Sequence, residues 1–185
     1  MVYILLGKGF EEAEALVTAD VLRRADLPVT LTGIGGDTVT GSHGITVQAD
    51  AAVEQVTLEP GDMVALPGGM GGVASIEGSE AAMKLVRQAA SGGEYWLAAI
   101  CAAPTLLARA GLLPKGARAV CYPGMEGALV EAGVIPQMDC PAVIDGRLVT
   151  SRGPGAAFDF GLALVGVLAG QEAAQAVAAG LVYAV

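Results

Sequence analysis

The sequence is poor in the residues that most often carry chemistry. It has one histidine, three cysteines and only 4% aromatic residues. With a single imidazole, any Cys–His mechanism must run through His43. Cysteines at positions 101, 121 and 140 fit neither a disulfide framework nor a metal-ligand spacing, so a reducing, cytoplasmic setting is expected. Positive charge is also scarce: 10 Lys and Arg face 19 Asp and Glu, a net charge of −9. That balance argues against nucleic acid or an anionic membrane as partner. The longest apolar run, residues 161–170, lies between Asp159 and Gln171-Glu172. It is too short to span a bilayer and suits a buried core helix. The N-terminal stretch has no basic n-region and reads as a first strand, not a signal peptide. No Walker lysine–serine pattern follows any glycine loop, which excludes a P-loop site. No linker, repeat or low-complexity tract divides the 185 residues, so one domain over residues 1–185 is expected.

What remains is apolar and small. Hydrophobic residues make up 54% of the chain, much of it Ala and Val, as in a buried parallel sheet packed against helices. Residues 2–6 form an apolar run that ends in Gly7-Lys8-Gly9, and a helix follows from about residue 12 with Leu16, Ala19 and Leu22 facing inward. Residues 28–32 give the next strand. Residues 37–50 alternate around Gly41-Ser42-His43-Gly44 and read as a hairpin excursion. Residues 63–67 form a strand that enters Gly68-Gly69-Met70-Gly71-Gly72. Ser79 is placed to cap a helix through residue 88. Further strands are expected near residues 95–100, 117–121 and 143–150, the last with an Asp145-Gly146 turn. Helices are expected at 125–132, 156–168 and 171–179. This alternation predicts a doubly wound α/β sheet. Such sheets bind ligands beyond the carboxyl ends of their strands. That edge would gather residues 7–14, 68–72, 101–104 and Tyr122-Pro123.

The sharpest local signal is Tyr95-Trp-Leu-Ala-Ala-Ile-Cys101-Ala-Ala-Pro-Thr105. A strand pattern ends at Cys101 and a helical pattern starts at once, with no turn residues between. The chain must turn at the cysteine itself, as in a nucleophile elbow, with Ala99, Ala102 and Ala103 leaving room. A cysteine at a helix N-terminus is expected to favour the thiolate. A buried inert thiol is the competing reading. Glu11 and Glu12 read as complements to the helix dipole, whereas Glu14 lies about a turn inside and is placed to point toward Cys101. Protonated Glu14 would then donate to the thiolate, and the two would titrate as a unit. Gly68, Gly69 and the Ala102 N–H are candidate oxyanion donors. His43 lies in a polar hairpin and reads as a solvated side chain. Cys121 and Cys140 read as structural. Gly7-Lys8-Gly9-Phe10-Glu11-Glu12 lacks the third glycine of a dinucleotide fingerprint and puts Glu12 where it would repel a pyrophosphate.

Four motifs taken together carry a resemblance: Gly7-Lys8-Gly9-Phe10-Glu11-Glu12-Ala13-Glu14, Leu66-Pro67-Gly68-Gly69, Ala98-Ala99-Ile100-Cys101-Ala102-Ala103-Pro104 and Thr150-Ser151-Arg152-Gly153-Pro154-Gly155. In this order, over essentially the whole chain, they resemble the ThiJ/PfpI superfamily, on the side of its Parkinsonism-associated deglycase branch. The resemblance implies a flavodoxin-like sandwich, a homodimer, and an oxidisable elbow cysteine, Cys101, partnered by a buried Glu14. Tyr122 and Pro154 would line the pocket. It implies a cofactor-independent, metal-free enzyme that converts 2-oxoaldehydes such as methylglyoxal to hydroxyacids, or that repairs glycated amines and thiols. A redox sensor or chaperone acting through the same cysteine, and an isocyanide hydratase-like enzyme, are the alternatives. Many members carry a histidine where this chain has Tyr122, so that histidine's role is not carried over and Cys–His peptidase chemistry is not implied.

Overall fold

The computed structural model describes residues 1–183. Its centre is β1 (Val2–Leu6), which pairs in parallel with β2 (Val29–Gly33) on one side and β6 (Met63–Leu66) on the other. A strand covered on both faces has no need of alternation, and Ile4, Leu5 and Leu6 are all buried. Helix α1 (Glu12–Arg24) connects β1 to β2. Its first turn is acidic and its last carries Arg23 and Arg24, as the helix dipole favours. The buried residues of α1 are Glu12, Glu14, Ala15, Thr18, Ala19, Val21 and Leu22, so two carboxylates lie among largely apolar buried side chains.

The hairpin expected around residue 43 is present: β3 (Thr38–Thr40) pairs antiparallel with β4 (Thr46–Gln48), outside the main sheet. The chain returns to the sheet edge as β5 (Ala51–Ala52) beside β2. After β6 come α2 (Met70–Glu77) and α3 (Glu80–Ala90). Ser79 caps α3, its Oγ accepting the Ala82 N–H at 3.2 Å. Strand β7 (Trp96–Ile100) runs beside β6 and leads into α4 (Ala103–Arg109).

The remainder comprises β8 (Arg118–Ala119), α5 (Gly127–Glu131), β9 (Ile135–Pro136), β10 (Ala142–Asp145), β11 (Leu148–Ser151), α6 (Ala157–Ala169) and α7 (Gln171–Gly180). The seven-stranded sheet has the order β10-β11-β7-β6-β1-β2-β5, with β10 as its antiparallel strand. Helices α1, α6 and α7 pack together, and α2 packs with α3 and α4. This is the expected flavodoxin-like, mostly parallel sheet flanked by helices. No helix among the described residues is long and apolar enough to cross a membrane.

The strand expected over residues 117–121 is a correction. Only Arg118 and Ala119 are extended partners, and they pair with β9 in a separate two-stranded ribbon. Side chains intercept the neighbouring backbone donors: Arg118 N–H goes to Asp145 Oδ2 at 2.7 Å and Val120 N–H to Thr150 Oγ1 at 3.0 Å.

Candidate functional site

Cys101 follows β7 directly. Its N–H donates to Ser151 O at 2.9 Å, so the ladder with β11 reaches the cysteine. Its φ is 66°, a left-handed conformation that is strained for a residue with a Cβ. Helix α4 begins two positions later, with Pro104 in its first turn, where a missing N–H costs little. Thr105 Oγ1 donates to Ala102 O at 2.8 Å and closes that turn. The result is a sharp strand-to-helix turn that leaves Cys101 9% exposed.

Two other segments meet it. From α1, Glu14 is 1% exposed, and its Oε2 accepts the Gly68 N–H at 2.6 Å. From the loop after β6, Gly68 lies against both side chains. A Cβ at Gly68 would fall 2.7 Å from Cys101 Cβ, 2.7 Å from Glu14 Oε2 and 3.0 Å from Sγ, so only glycine leaves space for the pair. Gly69 has φ 81° and opens α2, while Glu11 N–H donates to Gly68 O at 3.0 Å and ties the two glycine-rich loops together.

The electrostatics differ from the sequence expectation. Burial raises the Glu14 carboxyl to about 7, against the lowering effect of hydrogen bonds from Cys101 and Gly68. Burial also pushes the Cys101 thiol up to about 12; the charge of Glu14 and its hydrogen bond add to this, and the N–H groups of Ala102 and Gly69 oppose it. The depressed thiol expected from the helix terminus and a hydrogen bond from protonated Glu14 is therefore not what these surroundings favour. Helix α4 has only 7 residues, and its first N–H groups are outweighed by desolvation and a neighbouring carboxylate. The two groups form one protonic unit in which the thiolate is favoured only while Glu14 keeps its proton.

The oxyanion set narrows as well. Gly69 and Ala102 remain candidate donors, since their N–H groups act to lower the Cys101 thiol, but the Gly68 N–H is committed to Glu14 and is not free for a substrate oxygen. Tyr122 reaches the site through its backbone, donating its N–H to Cys101 O at 2.8 Å. Its side chain is half exposed and lines, with Pro154, Arg152 and Asp159, an adjoining cavity of about 520 Å³. Cys101 does not line that cavity. Cys121 is fully buried, and burial followed by the charge of Glu126 pushes its thiol to about 11. Cys140 is half-buried.

Sequence reasoning missed the role of Glu12. This carboxylate is 5% exposed and holds the hairpin turn: Oε1 accepts the N–H groups of His43 at 2.7 Å and Ile45 at 3.3 Å, and Oε2 meets Ser42 Oγ at 3.1 Å and His43 Nδ1 at 3.0 Å. Desolvation opposes its charge, but these hydrogen bonds prevail and hold the carboxyl at about 2. In return the Glu12 hydrogen bond, then the charges of Glu11 and Glu12, raise the pKa of His43. His43 is exposed, as expected, but it is tied to Glu12 and not simply solvated. Glu11, Glu12 and His43 are the one group among the described residues whose ligand atoms lie close enough, within 4.8 Å, to hold a metal ion. The Glu12 oxygens in it already serve the hairpin. The only signal available in sequence was a carboxylate on the apolar stripe opposite a Gly-Ser-His-Gly turn rich in unpaired N–H groups.

Protein dj-1beta of Drosophila melanogaster is 42% identical over 182 residues, covering 98% of this chain and 96% of that protein. Its crystal structure superposes with a TM-score of 0.92 at 41% identity, covering 100% of this chain and 98% of that chain. The glutathione-independent glyoxalase DJR-1.2 of Caenorhabditis elegans is 35% identical over 162 residues, covering 88% of this chain and 84% of that protein. The DJ-1/PfpI family model matches residues 1–166, and the chain belongs to the DJ-1/PfpI family.

Proposed function

We propose that this protein is a cofactor-independent enzyme that converts small 2-oxoaldehydes to 2-hydroxyacids at Cys101. The observation that carries this reading is the buried Cys101–Glu14 pair at a strained turn, with a carboxyl raised to about 7. A general acid–base group works best with a pKa near the operating pH. A relative that is itself a glyoxalase supports the reading.

The steps balance without an oxidant or a metal. Glu14, as a carboxylate, takes the Cys101 thiol proton; Sγ adds to the aldehyde carbon, and the carbonyl electron pair moves to oxygen beside the Gly69 and Ala102 N–H groups. Glu14 gives its proton to that oxygen, forming a hemithioacetal. As a carboxylate it then takes the hydrogen from the same carbon, and the freed electron pair passes to the neighbouring carbonyl oxygen, giving an enediolate. The hydroxyl proton of the first carbon passes to that second oxygen, and Glu14 returns its proton to the second carbon, leaving a thioester of the hydroxyacid. Water cleaves the thioester, releasing the hydroxyacid and restoring the thiol. Burial of Cys101 suits a substrate of few atoms. The reading includes a homodimer, and light scattering that returns the 18.4 kDa monomer mass would overturn that part.

The test is a panel of oxoaldehydes, including methylglyoxal and phenylglyoxal, with hydroxyacid measured by chromatography in wild type, Cys101→Ser and Glu14→Gln. Hydroxyacid formed by wild type alone supports the reading. A wild type that turns over no oxoaldehyde, yet is readily oxidised at Cys101 by peroxide, would replace the enzyme with a redox sensor.

A further inference from the structure

Strand β7 runs from Trp96 to Ile100. Cys101 lies beyond one end. Near the other, roughly 15 Å away at a strand rise of ~3.3 Å per residue, a second cavity of about 420 Å³ opens beside residues 112–117 and the β10–β11 turn. Its floor is apolar: Ala89, Leu97, Leu113 and Leu148 line it and are buried. Its volume lies within the range of small-molecule sites, ~300–1,000 Å³.

The polar side chains at its rim are mainly donors. Lys115, Arg147 and Tyr95 line it. In this acidic protein Arg23, Arg24, Arg87, Arg109 and Arg118 each pair with a carboxylate. Lys115 and Arg147 are two of the five basic side chains with no such partner among the described residues, the others being Lys8, Lys84 and Arg152, and these two share this cavity. The Arg147 guanidinium is held 5.1 Å over the Trp96 ring, which pre-orients it. Tyr95 Oη accepts from the Gln88 amide at 3.1 Å, which leaves its own O–H free to donate. The carboxylate in the lining, Asp145, is turned to Arg118, accepting its N–H at 2.7 Å. Arg147 Nη1 reaches Glu94 O at 3.5 Å, a contact with a neutral carbonyl that leaves its charge unpaired. An apolar floor under two cations without carboxylate partners and a free hydroxyl donor complements an anion with an apolar body.

We propose that this cavity binds a small monocarboxylate with an aromatic or branched aliphatic body, at a site separate from Cys101. The carboxylate lies between Lys115, Arg147 and the Tyr95 O–H, and the body lies on Leu97, Leu113 and Leu148. This site does not depend on the reaction proposed at Cys101.

The experiment titrates the whole protein with 3-phenylpropionate, followed by backbone amide NMR shifts. Two controls are 2-phenylethanol, which keeps the body without the charge, and acetate, which keeps the charge without the body. Saturable shifts centred on Leu97, Leu113, Lys115 and Arg147 are expected, with both controls binding at least about tenfold more weakly. Lys115→Gln, an exposed change that leaves the fold intact, should weaken 3-phenylpropionate by a similar factor, and Arg147→Gln should do the same. Shifts centred instead on Gly68, Cys101 or Tyr122, equal binding of 2-phenylethanol, or affinity unchanged in Lys115→Gln would each overturn the proposal. So would the lack of any saturable shift.

Discussion

Glu12 and Glu14 stand two positions apart in the first turn of α1, and both are buried. They are shifted in opposite directions, one down to about 2 and the other up to about 7. Two positions along a helix turn a side chain by roughly 200°, so the pair looks in different directions. Glu12 meets a hairpin turn that offers two backbone N–H groups, a hydroxyl and an imidazole. Glu14 meets the sheet edge, which offers one backbone N–H and a thiol. Both sites desolvate the carboxyl; the number of donors decides which form survives. Burial with many donors makes a structural anion, whereas burial with few makes an acid poised near neutrality.

The sharpest way to break this comparison is to remove each charge in turn and read turnover. Glu14→Gln keeps the volume but carries no movable proton, so oxoaldehyde turnover should fall by ~10²–10⁴-fold, the usual range for lost acid–base catalysis. Glu12→Gln should lose less than that range. Steady-state kinetics of the two variants side by side decide the matter, and equal losses would erase the distinction. The next largest effect is expected from Gly68→Ala, whose Cβ would fall 2.7 Å from both Cys101 Cβ and Glu14 Oε2. Overpacking of this kind costs about 1–3 kcal/mol. It should also separate the pair, so lower stability in urea melts should come with lost turnover.

The Glu12 contribution is read as stability. Glu12→Ala leaves the N–H groups of His43 and Ile45 without their acceptor, worth about 1–3 kcal/mol if they stay buried. Hydrogen exchange should quicken at residues 42–45 in that variant, with the amides of β7 unchanged. Uniform loss of protection would mean that the hairpin is integral to the core and not a docked excursion.

How the two carboxylates came to differ was only partly visible in sequence. The strand-to-helix turn at Cys101 was legible because an apolar run passes directly into a helical pattern, with only small residues between. Glu14 was legible as a carboxylate a turn inside α1, facing the same edge. Glu12 was not, because its partners lie 31 and 33 residues away and no periodicity reports a long-range hydrogen bond. The thiol pKa was misjudged for a related reason: a helix terminus is visible in sequence, whereas the desolvation that outweighs it depends on how the glycine loops close over the pair. At residues 117–121 the apolar pattern was right, but the Asp145 and Thr150 side chains take the donors a ladder would need.

A pH series sharpens the contrast. Glu14 is raised on folding, so the stability it contributes is fully present below its unfolded pKa, ~4.3, and is lost as pH rises through about 7. Wild type should therefore lose stability relative to Glu14→Gln over that window. Glu12 is depressed, so its contribution is present above ~4.3 and is lost as pH falls toward about 2. Thermal melts of wild type, Glu12→Gln and Glu14→Gln from acid to neutral pH should give difference curves of opposite slope. Thiolate absorbance adds a second reading. In Glu14→Gln the like charge is gone, so the Cys101 thiol should titrate as a single group below the wild-type value of about 12. An unchanged or higher value would show that the Glu14 hydrogen bond to the thiolate outweighs its charge.

The smallest effect is expected from His43→Ala, although His43 is the sole histidine. A general base must reach the proton it removes. The imidazole Nδ1 lies 3.0 Å from Glu12 Oε2 and 3.5 Å from Glu11 Oε2, and its hydrogen bonds reach neither Glu14 nor Cys101. It is exposed, so Glu12 keeps the N–H groups of residues 43 and 45 when the ring is removed. Turnover should therefore stay near wild type across the pH range. What changes is the hairpin in acid. The raised pKa of His43 means that its contribution is present below the unfolded value, ~6.5, and is lost as pH rises through the folded one. Wild type and His43→Ala should differ in hydrogen exchange at residues 42–45 in acid and converge in base. If His43→Ala instead lost turnover as completely as Cys101→Ser, the proton would travel through the imidazole, and the Glu12–His43 pair would replace Glu14 as the acid–base group.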